Sequence, residues 1–456
     1  MRSVAITRSD YEFLRRSLFT SDGKENAALL VCGIVKTNEK QELLVREVVP
    51  VPSDAYTERL SYHLEIAPRF INSVIDKCVR KGFGIITTHS HPTSDAAHYS
   101  SSDDGGEGRL FKVFSDLLGP GKHGSLLLTR TDTIGRFPAA RRFVPLDRLS
   151  VVGPRLSRTY FGRSKARSRT GSSATQHRQV LAFGTEGQAL LESLQVGIVG
   201  LGGTGSAVAE QLIRIGVQKL VLVDPDEFEP SNLSRLYGSR FTDTKKPIPK
   251  TQIVARLMGS IAPSGEARQI QDSVVRQSVL LELRDCDVIF ACTDNDWSRS
   301  VLNRFAYQYL VPLIDLGIRI TLKNGAVQGI GGRVARVGPE TACLRCAHHL
   351  DPDRIRAESM PARQRDALVK EHYLEGVENP APAVISFNTT MAGFAVSDLL
   401  LIALGIGDES RANELIYDGV DGIAFRVRPD PNPLCDICSA RGLKGIGDLQ
   451  VVSAYE

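Results

Sequence analysis

Between residues 194 and 238 the period of the hydrophobic pattern changes twice. LQVGIV is a short apolar run rich in β-branched residues, the pattern of a strand buried on both faces of a parallel sheet. Gly200, Gly202, Gly203 and Gly205 follow, then AVAEQLIRIG with apolar residues at helical spacing, then KLVLVD as a second strand ending at Asp224. Strand, glycine turn, helix and strand predict a βαβ unit. In the first 148 residues the pattern predicts strands over 27–35 and 42–49 with a polar turn between them. It also predicts a helix over 66–81 with Pro68 in its first turn, a short buried strand over 84–88, and a helix over 107–118. Beyond residue 294 it predicts a helix over 297–309, a strand in VPLIDLGI, a β excursion over 325–337 and a long apolar helix over 387–404, suited to a core or a dimer interface. The expected class is α/β.

Length divides this picture. A chain of 456 residues exceeds one ordinary core and implies two or three domains. A net charge of +4 with an ordinary apolar fraction points to no particular partner. No uninterrupted eighteen-residue apolar run occurs, so no membrane span is expected, and MRSVAITRSDYEFLRR lacks the apolar stretch of a signal peptide. Eight cysteines, four of them in two CxxC pairs, suit metal binding in a reducing compartment better than a disulfide framework. A cytoplasmic location is therefore expected. From Arg148 to Thr185 there is no acidic residue, and Arg155, Arg158, Arg163, Lys165, Arg167 and Arg169 sit among Ser, Gly and Thr. Among residues 155–169 the only aromatics are Tyr160 and Phe161, so the segment reads as a solvated linker rather than a nucleic-acid surface. The expected domains are 1–148, a basic flexible linker over 149–175, and 176–456.

The glycine turn brings bare N–H groups to a helix N-terminus, where they attract phosphate, and Asp224 is spaced to hold a ribose hydroxyl. Dinucleotide oxidoreductases share that much. Asn232 and Arg235 in PDEFEPSNLSR, Lys250, and Asp294 in DVIFACTDN go further. A nicotinamide site needs no cation clamp or second carboxylate, whereas attack on an ATP α-phosphate gathers charge and its Mg²⁺ needs a hard oxygen ligand. The composite GxGGxG, D.D, SNL.R, K and CTDN resembles the ThiF/MoeB/HesA family, which is related to ubiquitin-activating enzymes. The resemblance implies a Rossmann-like adenylyltransferase in which Asp224 binds ribose, Asn232, Arg235 and Lys250 hold phosphates, and Asp294 orients Mg²⁺. It also implies a homodimer in which Arg178 reaches the ATP of the mate. Arg299 has two readings, one facing nucleotide and one at the surface.

The predicted strand over 84–88 delivers His89-Ser90-His91-Pro92, and Ser100 to Asp104 follows a short loop. Two histidines and a carboxylate can hold one zinc and leave a position for water, the arrangement of a catalytic site. The spacing HxHP…SxxD, with HLEIAP and GIITTHSHP around it, resembles the JAMM (MPN-plus) metalloprotease motif. By that resemblance His89, His91 and Asp103 bind Zn²⁺, Ser100 helps stabilise the oxyanion and Glu25 is the general base. Ser101 and Asp104 satisfy the same spacing, but Tyr99 before the first serine favours the earlier pair, and His98 is taken as a bystander.

Cys343, Cys346, Cys435 and Cys438 form two knuckles able to close a tetrahedral structural zinc site, which the ThiF-type resemblance also implies. Cys32, Cys78, Cys286 and Cys292 fall in predicted strands or helices. None lies in Ala347–Ser386, where ubiquitin-activating relatives carry a thioester cysteine. Of the hydroxyls in or near that segment, Ser359, Ser386, Thr389 and Thr390, none is singled out as a nucleophile, since a serine with no base beside it is a poor one. Together the resemblances imply a metalloprotease fused to an activating enzyme. Such a fusion would adenylate the C-terminal glycine of a ubiquitin-like protein and trim or deconjugate it, in bacterial conjugation or defence, with an E2-like transferase downstream. The alternatives are activation of a sulfur carrier, with a sulfurtransferase as partner, and a non-enzymatic nucleotide-binding scaffold.

Overall fold

The computed structural model describes residues 1–37, 40–139, 142–161, 174–361, 364, 382–408 and 412–453. Arg163, Lys165, Arg167 and Arg169 of the basic connector lie outside the described residues, as do 362–363 and 365–381 of the crossover segment. The chain divides into two compact units. One is Met1–Arg167 with Gln308–Leu310 and Lys444–Val451; the other is Ser168–Tyr307 with Val311–Leu443 and Val452–Glu456.

The first unit runs β1 (Arg2–Thr7), α1 (Arg8–Leu18), β2 (Ala27–Lys36), β3 (Gln41–Pro50), β4 (Tyr56–Arg59), β5 (Leu64–Ile66), α2 (Pro68–Lys81), β6 (Gly84–Ser90) and α3 (Ser101–Leu118). It continues through β7 (His123–Leu128), β8 (Thr133–Ala139), β9 (Arg142–Pro145), β10 (Arg148–Val152) and β11 (Leu156–Tyr160). A mixed nine-stranded sheet has the order β11-β10-β1-β3-β2-β6-β7-β8-β9, and β4 and β5 form a separate ribbon. The uniform apolarity of β2 follows from its place in this sheet. Ala28, Leu30, Cys32 and Ile34 enter a core shared with Leu14 and Leu18 of α1. Leu29 and Val31 enter another with Val74, Ile75 and Cys78 of α2 and Phe111 and Phe114 of α3. Successive strand residues point to opposite faces, so a strand covered on both has no polar position.

Two expectations change here. Residues 149–160, read as linker, form most of β10 and all of β11, because Leu149 and Val151 alternate into the core beside α1 while Gly153-Pro154 turns the chain. Counting arginines and serines over the whole stretch hid that alternation. Helix α3 starts six residues before the predicted 107, because Ser100 caps it in a capping box with Asp103.

The second unit runs α4 (His177–Ser193), β12 (Gln195–Val199), α5 (Gly203–Arg214), β13 (Lys219–Val223), α6 (Lys250–Ile261), β14 (Glu266–Ile270), α7 (Gln277–Glu282), β15 (Val288–Ala291) and α8 (Asp296–Tyr309). β16 (Leu313–Lys323), β17 (Ala326–Val337), α9 (Pro352–Glu358), a long helix Ile385–Ala403, β18 (Glu414–Asp418) and β19 (Ile423–Val427) complete it. Its sheet order is β14-β13-β12-β15-β16-β17-β18-β19, parallel from β14 to β16 and antiparallel beyond. From β12 the chain winds first toward β13 and β14, then returns to β15 on the other side. The carboxyl ends of β12 and β15 therefore flank a topological switch point, where open α/β sheets bind ligands.

The Ile385–Ala403 helix is long and apolar enough by composition to cross a membrane, with a mean hydropathy of 1.4 over its best window. Counting uninterrupted apolar residues missed this because Asn388, Thr389, Thr390 and Asp398 break the run. Met391, Ala392, Ala395 and Leu399 are buried, and the helix packs on α5, β16 and β17. Asp398 is fully buried and accepts a bond from Arg426 at 2.5 Å, which a core helix of a folded unit explains.

Candidate active sites

In the second unit the glycine turn is fixed by close backbone approach. Gly200 has φ +85°, and a Cβ there would lie 2.8 Å from the Cys292 carbonyl oxygen. A Cβ on Gly205 would lie 1.8 Å from the Gly200 carbonyl. Gly202 caps α5 and faces open space, and Gly203 opens the helix. The first intrahelical bond runs from the Ser206 N–H to the Gly202 carbonyl. The amides of Gly203, Thr204 and Gly205 are thus donors without helical partners, at the positive end of the helix.

Asp224 leaves β13 buried. It accepts the Leu201 N–H at 2.5 Å and the Asp226 N–H at 2.9 Å. Burial raises its pKa, and Lys250 opposes the rise. Lys250 arrives because Glu227 and Pro249 form a β-bridge and the Lys250 N–H bonds the Asp226 carbonyl at 3.1 Å, setting the start of α6 beside the exit of β13. Its Nζ lies 2.7 Å from Asp226 Oδ2 and 4.0 Å from Asp224 Oδ1. Asn232 is buried in a short 3-10 turn, where its Oδ1 accepts the Glu229 N–H at 3.2 Å. The aliphatic carbons of Arg235 lie against Gly203, and its Nη1 donates to the Ser231 carbonyl at 2.9 Å. Asp294 lies three residues past β15 and is exposed; Arg178 is exposed on the first turn of α4. Neither is tied to the glycine turn by a hydrogen bond or ion pair among the described residues. Arg299 is not a surface residue. It donates to the Thr293 carbonyl at 2.9 and 3.2 Å and lies 3.4 Å from the fully buried Asp315, which Arg333 also pairs at 2.5 Å.

In the first unit, β6 carries His89 as its penultimate residue, with His91 just beyond the strand, and the first turn of α3 brings Asp103 to them. One donor atom from each of the three lies within 4.8 Å of the others. His89 Nε2 is 3.2 Å from Asp103 Oδ1, His91 Nε2 is 3.7 Å from Asp103 Oδ2, and His91 Nε2 is 3.6 Å from Glu25 Oε1. Ser100 aims the carboxylate, its N–H and hydroxyl both reaching Asp103 Oδ2 at 2.7 Å. Buried His89 Nε2 lacks a well-formed hydrogen bond, so the donor set fits a zinc ion. Burial raises the Glu25 carboxyl to about 7. Burial and the neighbouring His89 lower His91 to about 4, whereas at His89 the Asp103 carboxylate outweighs burial and raises the pKa, so a zinc ion would take the place of that proton. Asp104, the acid of the alternative spacing, instead pairs with Arg136 at 2.5 Å.

The four paired cysteines of the second unit also converge. Cys343 and Cys435 sulfurs are 3.7 Å apart, Cys346 and Cys438 sulfurs 3.6 Å, and all four lie within 4.8 Å. Four thiolates at about 2.3 Å from one zinc would be roughly 3.8 Å apart along a tetrahedron edge, so the spacing fits that ion.

Sequence reasoning missed several contributors. Asp226 holds Lys250 and was visible as the second acid of the D.D pattern. Arg59 donates to the Glu25 carbonyl at 3.1 Å, from a ribbon strand that no motif marks. Arg136 lies 3.6 Å from the Tyr99 ring centroid and 3.9 Å from that of Phe143 and is 2.7 Å from Glu107, fixing Tyr99 before Ser100.

The model of the ThiF family matches residues 176–437. The SAMP-activating enzyme E1 of Haloferax volcanii is 26% identical over 271 residues, covering 59% of this chain and 90% of that protein. Ubiquitin-like modifier-activating enzyme 5 of Drosophila willistoni is 29% identical over 256 residues, 53% of this chain and 56% of its own length, so the chain spans little more than half of that relative. A crystal structure of E. coli MccB with ATP aligns at 16% identity with a TM-score of 0.47, over 59% of this chain and 75% of that one.

Proposed function

The chain belongs to the ThiF family, and from that premise we propose that its second unit activates a ubiquitin-like protein with Mg·ATP while its first unit is a JAMM-type zinc metalloprotease acting on the same protein. The observation that carries the activating half is the meeting of α5's free amides, Asp224, Lys250 and the Arg235 side chain beside one switch point. The C-terminal carboxylate of the small protein attacks the α-phosphorus, the bond to the bridging oxygen breaks, and pyrophosphate leaves. Lys250 exchanges Asp226 for a phosphate oxygen, and Arg235 offsets the charge that gathers. Asp294 would hold Mg²⁺, which neutralises phosphate charge when bound. Arg178 of a dimer mate completes the clamp.

The clustered His89, His91 and Asp103 with buried Glu25 support the peptidase half. They would hold zinc, which polarises water for attack on an amide carbonyl when bound. Glu25, raised toward neutral pH by burial, takes the water proton and returns it to the leaving amine, and Ser100 steadies the oxyanion. The paired cysteines would hold a second, structural zinc. We place the protein in the cytoplasm, where its paired thiols stay reduced.

The absence of cysteine from Ala347–Ser386 favours a second reading, in which the adenylate passes directly to a sulfur donor and the small protein is a sulfur carrier. The intact mass of the carrier after reaction separates conjugate, added sulfur and the unchanged product of a mere scaffold. For activation itself the test is ATP–pyrophosphate exchange with β-grasp proteins ending in glycine. Exchange should be abolished in Asp294→Ala and retained in Glu25→Ala; normal exchange in both sinks the assignment.

A further inference from the structure

We infer that Asn388, on the first turn of the Ile385–Ala403 helix, is a nucleotide-binding residue whose side-chain amide donates to a phosphoryl oxygen at the N-terminus of α5. This rests on the proposed use of ATP by the second unit. Asn388 is 3% exposed. Its Nδ2 lies 2.2 Å from the point a Cβ would take on Gly203, so Gly203 has to be glycine to leave room for that amide. A side-chain amide offers two N–H donors and a carbonyl acceptor, and buried ones are nearly always partnered. Among the described residues no hydrogen bond reaches this one.

The position is held from outside the amide. The Asn388 backbone N–H bonds the Val384 carbonyl at 3.1 Å, and the neighbouring Thr389 hydroxyl bonds the Tyr237 hydroxyl at 2.8 Å. The Tyr237 N–H in turn donates to the Ser206 hydroxyl of α5 at 3.0 Å, fixing the register of the two helices. Three features then meet at Gly203: the unpartnered amide, the side chain of Arg235, and the backbone donors of the first turn of α5. Each favours an anion. A cation would meet the positive end of a helix, and an apolar group would leave the amide unsatisfied. A phosphoryl oxygen satisfies all three.

The experiment titrates full-length protein with Mg·ATP and, separately, with adenosine by calorimetry, comparing wild type with Asn388→Asp and Asn388→Ala. Asn388→Asp, which swaps the donor for a negative charge at nearly equal size, should weaken Mg·ATP binding at least tenfold, and Asn388→Ala several-fold. Adenosine affinity should not change. Unchanged Mg·ATP affinity in both variants overturns the inference while leaving ATP use intact. Equal losses for ATP and adenosine also overturn it, because they mark a structural role. A wild type that binds neither ligand overturns the proposed ATP reading together with this inference. Should Asn388→Asp fail to fold, Asn388→Ala and Asn388→Ser carry the comparison.

Discussion

The histidine cluster of the first unit and the glycine turn of the second differ in how complete they are within the chain. Three ligand atoms of the first lie within 4.8 Å of one another, with Glu25 3.6 Å from one of them. In the second, Lys250 is engaged by Asp226, Asp224 spends both oxygens on backbone N–H groups, and Asp294 and Arg178 are exposed. The ligands proposed for the two sites explain the difference. A zinc ion is small, and its ligands must approach one point to about 2 Å, so the fold has to preassemble them. A nucleoside triphosphate is extended and brings its own charges, so residues that serve it can stand apart along a crevice and exchange partners when it enters. A compact donor set is therefore strong geometric evidence for a site, and a dispersed one is not evidence against a site.

The largest expected effect breaks the comparison at the second unit's own compact set. Cys435→Ser removes one of four thiolates from a closed cluster, and structural zinc contributes on the order of 10 kcal/mol to folding. Zinc measured by mass spectrometry should fall from two ions per chain to one, and pyrophosphate exchange should vanish through loss of structure. Retention of both ions would deny that the cysteine cluster is a zinc site.

A smaller effect sharpens the contrast within the first unit. Glu25→Gln keeps the two histidines and Asp103, so zinc content should stay at wild-type level while peptidase turnover drops about 10²- to 10⁴-fold, the range for losing a general base. His91→Ala should lose turnover and one zinc together. Pyrophosphate exchange should be untouched in both. Peptidase activity that survives Glu25→Gln would assign the proton transfer to another group.

How far each region was legible in the sequence follows the same division. The βαβ unit was readable because Gly200 and Gly205 are fixed by backbone crowding that no other residue tolerates, and because β12 and β13 are buried enough to be uniformly apolar. The choice of Asp103 over Asp104 rested on the aromatic before Ser100; in the structure the capping box turns Asp103 to the histidines, and Arg136 takes Asp104. What stayed hidden acts through tertiary contact. Asn388 matters because of Gly203, 185 positions away by subtraction. Arg59 reaches the Glu25 segment through a backbone carbonyl while pairing with Asp22, contacts that no motif records. Strands β10 and β11 disappeared into a composition average, although Leu149 and Val151 alternate as strand residues do.

The smallest effect concerns the scaffold under the histidine cluster rather than its ligands. Glu42 of β3 is 5% exposed, lies 2.9 Å from Lys40 and 3.3 Å from Arg148, and accepts the Ser3 hydroxyl at 2.9 Å. Burial alone would raise its pKa, but the two cations and the hydroxyl overcome that and hold it at about 2, against 4.5 for an unperturbed glutamate. A folded-state pKa below the unfolded one means that the unfolded chain binds the proton more readily. The stabilisation is therefore complete above pH 4.5 and fades as pH falls toward 2, with a full size of about 3 kcal/mol from the shift. Glu42→Gln should lower the first unit's stability by that order at pH 7, read as a shift in its denaturant midpoint. The gap to wild type should narrow steadily between pH 4.5 and 2. A gap that stays constant over this window would mean that Glu42 stabilises by packing and not by its charge. The ion pairs joining β3 to β10 would then be incidental to the sheet that carries His89.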